Sequence, residues 1–169
     1  MNAAGLRSRI IATLDADADV RRRAELELKA AEEHPGFTDA LVEILQAEQE
    51  PPIRMSTVVY LKNRVSRAWS IDSNSTQQSK PIPDDEKQRF RERLIPLLAS
   101  SPSKIRQQLV PILQKTLHFD FPEKWPSFVT VTVQLLNTNE VSSITAGLQC
   151  LLALCRVFPL QNWRKSVGF

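Results

Sequence analysis

With 169 residues, the chain is long enough for one sizeable core or one short array of helices. Gly numbers only 4, aromatics make up 7%, and few segments alternate with period two, so an all-α fold is expected and a β-rich one is excluded. A net charge of +3, with acidic and basic side chains interspersed, is too mild for a dedicated nucleic-acid binder.

The first helix is predicted over 3–14. A second follows over roughly 20–33, with Asp19 placed to cap its positive end. His34, Pro35 and Gly36 stop it with a sharp turn. A third, about 37–48, has Phe37, Leu41, Ile44 and Leu45 on one side. The fourth, 52–69, starts on Pro51 and Pro52, where a missing N–H costs nothing. Val58, Leu61, Val65, Ala68 and Trp69 form its apolar stripe. Arg54, Lys62, Arg64 and Arg67 are expected on the opposite, basic outer face.

Residues 70–83 hold almost no apolar content, which predicts a solvated, mobile loop open to insertion or phosphorylation. Asp84, Asp85 and Glu86 then open a helix to about 99, which Pro96 should kink. Ser101 and Pro102 read as N-cap and first residue of a helix over 102–118. The stretch 119–128 is dense in aromatics and proline. It predicts a tight corner in which Phe119, Phe121, Trp125 and Phe128 fill a seam, in preference to an aromatic ligand pocket. Helices over about 124–137 and 140–157 complete four pairs. Val129 to Val133 alternates with period two, but inside a longer helical pattern.

Cys150 and Cys155 are five apart, about 140° around one helix, which suits neither a disulfide nor a metal pair. The first residues lack the pattern of a signal peptide, and Arg156 and Pro159 break the longest apolar run, so neither secretion nor a membrane span is expected. The expected setting is intracellular.

The fourth helix has an echo. Ile105-Arg106 stands 52 residues after Ile53-Arg54, and the match continues through Val58 and Val110, Leu61 and Leu113, and Val65 and Leu117. Upstream, Val20-Arg21 precedes Ile53-Arg54 by 33, aligning Leu28 with Leu61 and Lys29 with Lys62. One helix per match at such spacings predicts an α-α superhelix of HEAT or armadillo type, with an ordinary helical bundle as the competing arrangement.

An ordered set of short pieces then carries a resemblance. It runs Ala24-Glu25 with Leu28, His34-Pro35-Gly36-Phe37, Ile53-Arg54, and Tyr60-Leu61-Lys62-Asn63-Arg64-Val65 with Trp69. It continues with Glu86-Lys87, Ile105-Arg106-Gln107-Gln108-Leu109, and Asp120-Phe121-Pro122 with Trp125-Pro126. The set resembles the N-terminal end of a β-karyopherin, the importin-β family of nuclear transport receptors, and is most similar to the importin-seven/eight branch. The resemblance spans about 20–155. It implies a HEAT solenoid over 1–157, followed by a tail over 158–169 outside the family pattern. It also implies that helices 20–33, 52–69 and 102–118 line a concave face and meet the GTPase Ran in its GTP form.

Carried over residue by residue, Arg54, Lys62, Asn63 and Arg106 are candidate Ran contacts. For Arg54 and Arg106, a structural ladder pairing with carboxylates of adjacent repeats is an equal alternative. Cargo and nuclear-pore proteins are implied as partners of a full-length relative, which shuttles between cytoplasm and nucleus. Members of the family are much longer, so the chain reads as a fragment or truncated product. Val141, Ile144, Leu148, Leu151, Leu152 and Cys155 of the last helix then lack a covering repeat. A patch of roughly 400 Å² left open forgoes about 10 kcal/mol of burial. Aggregation is expected, or a tail folded back through Phe158, Trp163 and Phe169.

No Gly-rich phosphate loop or nucleophile elbow is present, and His34 and His118 are the only histidines, so no enzyme, cofactor or metal site is expected. The competing functions are a generic HEAT scaffold for other proteins and, more weakly, nucleic-acid binding through Lys62, Arg64, Arg67, Arg89, Arg91 and Arg93.

Overall fold

A computed structural model describes residues 2–70 and 80–159. Among these residues there are eight helices and no strand. The expectation of a mobile loop concerns 71–79 for the most part, and Trp163 and Phe169 belong to the tail; both stretches lie outside the described residues.

The first compact unit runs to Phe90. It holds α1 (Ala3–Ala12), α2 (Ala18–Ala31), α3 (Phe37–Ala47), α4 (Pro51–Ala68) and the start of α5 (Asp84–Ser100). α1 packs against α2, α3 and α4, and α3 against α4. Leu6 and Ile10, Leu28, Leu41 and Leu45, and Val58, Leu61 and Val65 supply one buried residue or more from each helix. These are the stripes that the 3.6-residue period selects.

The cap of α2 is Asp17, not Asp19: the Asp17 side chain accepts from the Asp19 amide at 2.8 Å. Asp17 has the extended backbone that a capping side chain needs, whereas Asp19 is already helical. Gly36 takes φ 81, left-handed backbone open to glycine at little cost, and so turns the chain directly into α3. The N-terminus of α3 has no cap from its own segment. It is capped by Glu86 of α5, whose buried carboxylate accepts from the amides of Gly36, Thr38 and Asp39 at 3.0, 2.6 and 3.3 Å. Trp69 and Phe90, with ring centroids 5.4 Å apart, close the same end of the core.

The second unit runs from Arg91 and contains the rest of α5, α6 (Ser103–Asp120), α7 (Phe128–Leu136) and α8 (Val141–Val157). α8 packs against both α6 and α7. Gly147 sits where α8 meets α7: a Cβ there would come within 2.9 Å of Leu136, so the two helices approach as closely as they do because the residue is glycine. α5 and α6 run unbroken through Pro96 and Pro111. Both prolines are exposed, so the carbonyl each leaves without an amide faces water.

Three local expectations fail here. Ser101 does not cap α6; Pro102 occupies that position and the Ser101 side chain is buried. α7 starts at Phe128, not 124, because the Lys124 and Trp125 amides both donate to the Asp120 carbonyl and hold those residues in a turn. Phe119 is 42% exposed, with the Lys115 ammonium 4.7 Å above its ring, while Trp125 and Phe128 are buried. Placed beside the buried Asp120, Phe119 points the other way around α6. Phe121 touches both Phe128 and Phe158, at 6.0 and 5.7 Å between centroids, so Phe158 meets the aromatic corner and not the open face of α8 onto which the tail was expected to fold. Val141, Leu148, Leu151 and Leu152 of α8 remain exposed. Cys150 is buried and Cys155 exposed, both free thiols. No described helix is long and apolar enough to cross a membrane.

Candidate functional site

α2 and α4 border an open cleft of about 640 Å³ within the first unit. Leu28 and Phe37 form part of its lining, and polar side chains form most of the rest. On α2, Glu25, Lys29 and Glu32 follow at intervals of four and three, so one helical face presents them all. On α4, Tyr60, Asn63 and Arg67 do the same from the opposite wall.

One end of the cleft is fixed by charge. The Glu32 carboxylate accepts from Arg67 Nη2 at 3.1 and 2.9 Å and from Arg64 Nη1 at 3.2 Å. Arg64 also donates to the Lys80 carbonyl at 2.8 Å, and Lys80 Nζ donates to the Glu33 carbonyl at 3.2 Å. Arg64 is 4% exposed, so the basic outer face expected for α4 loses this member. A guanidinium one position from Val65 can turn inward because Glu32 and the Lys80 carbonyl accept its hydrogen bonds; its Nε finds no partner among the described residues.

At the other end, burial pushes the Tyr60 phenol above its ordinary value. A hydrogen bond with Thr13 opposes this rise and the nearby Glu25 adds to it. Between the two ends, Lys29 and Asn63 are exposed.

The four carried-over candidates meet different fates. Asn63 is exposed and lines the cleft. Lys62 is half-buried and already interacts within the fold. Arg54, in the first turn of α4, is half-buried, with a buried Nε that has no partner among the described residues. Arg106 donates through Nε to the Leu98 carbonyl at 3.1 Å and through Nη2 to the Ser101 carbonyl at 3.0 Å. It closes the end of α5 on backbone oxygens, not on the carboxylates that a charge ladder would use. The sequence offered Arg67 only as part of a basic face or a nucleic-acid contact and Glu25, Lys29 and Tyr60 only as pieces of a pattern, and gave Glu33 no role; none was expected to line a cleft. The four-residue spacing of Glu25, Lys29 and Glu33 was the available signal.

The importin-β N-terminal domain family matches residues 24–100, which include every residue of the cleft from Glu25 to Lys80. The probable importin-7 homolog of Dictyostelium discoideum is 31% identical over 137 residues, covering 80% of this chain and 12% of the relative. The exportin-2 of Oreochromis niloticus is 30% identical over 137 residues, covering 81% of this chain and 14% of the relative. The chain belongs to the karyopherin-β family.

Its fold is similar to that of the exportin Cse1 solved in its cargo-free, cytoplasmic state. The TM-score is 0.81 at 17% identity, over 94% of this chain and 16% of that one. The all-helical HEAT-type fold expected from the repeats is therefore the one found. The chain spans 12% to 14% of the length of these two curated relatives. The importin-7 homolog and exportin-2 match almost equally, so identity places this N-terminal domain among nuclear transport receptors without separating import from export.

Proposed function

We propose that this karyopherin-β N-terminal domain binds Ran in its GTP form, as part of a receptor for protein import into the nucleus. The observation that carries this reading is the open, polar cleft between α2 and α4, lying wholly within the importin-β N-terminal domain and presenting Asn63. Asn63 offers both donors and an acceptor to a partner, with Lys62 beside it and Arg54 further along α4 as flanking contacts. Arg106 contributes only what remains after its Nε and Nη2 bonds to the end of α5. The import direction rests on the Leu61-Lys62-Asn63-Arg64-Val65 and Asp120-Phe121-Pro122 pattern shared with the importin-seven/eight branch. Cargo and nuclear-pore proteins would engage the much longer receptor, which would shuttle between cytoplasm and nucleus.

The test is retention of purified Ran on the immobilised chain in each nucleotide state. GTP-loaded Ran should be retained and GDP-loaded Ran washed through, because the γ-phosphate orders the switch segments that a receptor reads. Equal retention of both forms, or of neither, removes the reading and leaves a general protein-binding scaffold. A steep log–log loss of nucleic-acid binding with salt would point instead to phosphate contacts.

A further inference from the structure

The charges that line the cleft divide into those the fold uses and those it leaves for a partner. Glu32 is held by Arg64 and Arg67, and Lys80 is tied to the end of α2, so these four fix one end. Glu25, Lys29 and Glu33 have no ion-pair partner among the described residues, and all three are exposed in the cleft. Glu25 and Lys29 lie four residues apart on α2, about 6 Å along its axis, and Glu33 follows four residues later in the turn beyond the helix end, in the order acid, base, acid. Asn63 faces the same cleft from α4.

We infer that the cleft reads a partner segment of the reverse pattern, a carboxylate flanked on both sides by cations. The partner's carboxylate is taken by Lys29 and the Asn63 amide, and its two cations by Glu25 and Glu33. The inference rests on the Ran reading and adds which chemistry on that protein's surface the cleft selects. Complementary charges of both signs discriminate more sharply than one sign does, because a partner shifted by one position meets like charges. A uniformly acidic peptide or a phosphate backbone is disfavoured by the two glutamates.

Single charge reversals decide it, measured as the Kd of the full chain for GTP-loaded Ran. Lys29→Glu, Glu25→Lys and Glu33→Lys should each weaken binding, by about three- to tenfold, as expected for solvent-exposed pairs at a rim. All three residues are exposed, and thermal unfolding should match that of the parent chain. Tighter binding by Glu25→Lys or Glu33→Lys would overturn the inference in favour of an acidic partner. An unchanged Kd for Lys29→Glu, with nucleotide preference intact, would overturn the charge pattern alone and leave the Ran reading standing. Failure of the parent chain to prefer GTP-loaded Ran would take down both.

Discussion

α4 and α6 stand 52 residues apart in the sequence and turn the same positions inward. Thr57, Leu61 and Val65 are buried on one, and Leu109, Leu113 and Leu117 on the other. Their polar residues part company. Where α4 buries Arg64, α6 buries Thr116, whose hydroxyl donates to the Ile112 carbonyl of its own helix at 3.0 Å. Where α4 has Ala68, α6 has the buried Asp120, which receives Arg91 Nη1 at 2.6 Å. Where Arg54 leaves its Nε unpartnered among the described residues, Arg106 closes the end of α5. The shared period decides which positions leave water. Each polar group found there then needs its own partner, and the reach of the side chain decides whether that partner is local or distant.

The end of α6 offers the largest test of that difference. Arg91→Met leaves Asp120 buried without its cation and should cost about 3–5 kcal/mol in urea unfolding. Adding Asp120→Ala installs the residue that α4 carries at the matching position and should recover most of the loss. A double variant as unstable as the single one would show that the ion pair is not what sets α6 apart.

Exchanging the roles at the next position should cost less. Arg64→Thr removes the clasp between α4, Glu32 and the Lys80 carbonyl, with an expected loss of about 2 kcal/mol by thermal unfolding. At the matching position of α6, Thr116→Val removes only a bond within one helix and should stay within about 1 kcal/mol. Similar losses from both would break the distinction between distant and local partners.

The candidate contacts separate in the same way. Arg106→Ala should lose about 1 kcal/mol of stability and little Ran binding, because two of its bonds hold the end of α5. Asn63→Ala should leave stability within about 0.5 kcal/mol and weaken retention of GTP-loaded Ran. The opposite result would move the contact surface from α4 to α6.

The smallest effect concerns acid. Ahead of α4, the Arg7 side chain and the amides of Glu50 and Gln49 hold Glu48 below its ordinary value of 4.5, with burial opposing them. A lowered carboxylate stabilises the fold above the unfolded value and loses that contribution as pH falls through the folded one. Stability should therefore decline below about pH 4.5, and Glu48→Gln should flatten that decline. Ahead of α6 the matching position is Ser100, the last residue of α5, so amide exchange at the start of α6 should not follow the same titration.

The eight helices were legible because a stripe of Leu, Ile and Val at 3.6-residue spacing has only one way to leave water. The α2 stop was legible for a local reason too: Pro35 cannot continue a helix and Gly36 accepts left-handed backbone. The candidate site was legible in part. Asn63 came from a motif and lies in the cleft, whereas the facing of Glu25, Lys29, Glu32 and Glu33 by Tyr60 and Arg67 emerged only once two helices stood opposite each other. Arg64 looked like one more cation on a wet face, since nothing near it in sequence announces Glu32 or the Lys80 carbonyl.

The sequence by itself determined which elements form, which side of each is apolar, and that one helix pattern recurs. Those are consequences of short-range periodicity and backbone chemistry, which each segment carries alone. Tertiary structure decided where the charges went: Arg64 inward onto Glu32, Glu86 onto the start of α3, Arg106 onto the end of α5. A long polar side chain can reach several partners, and packing alone brings one of them within hydrogen-bond distance in a place that water has left.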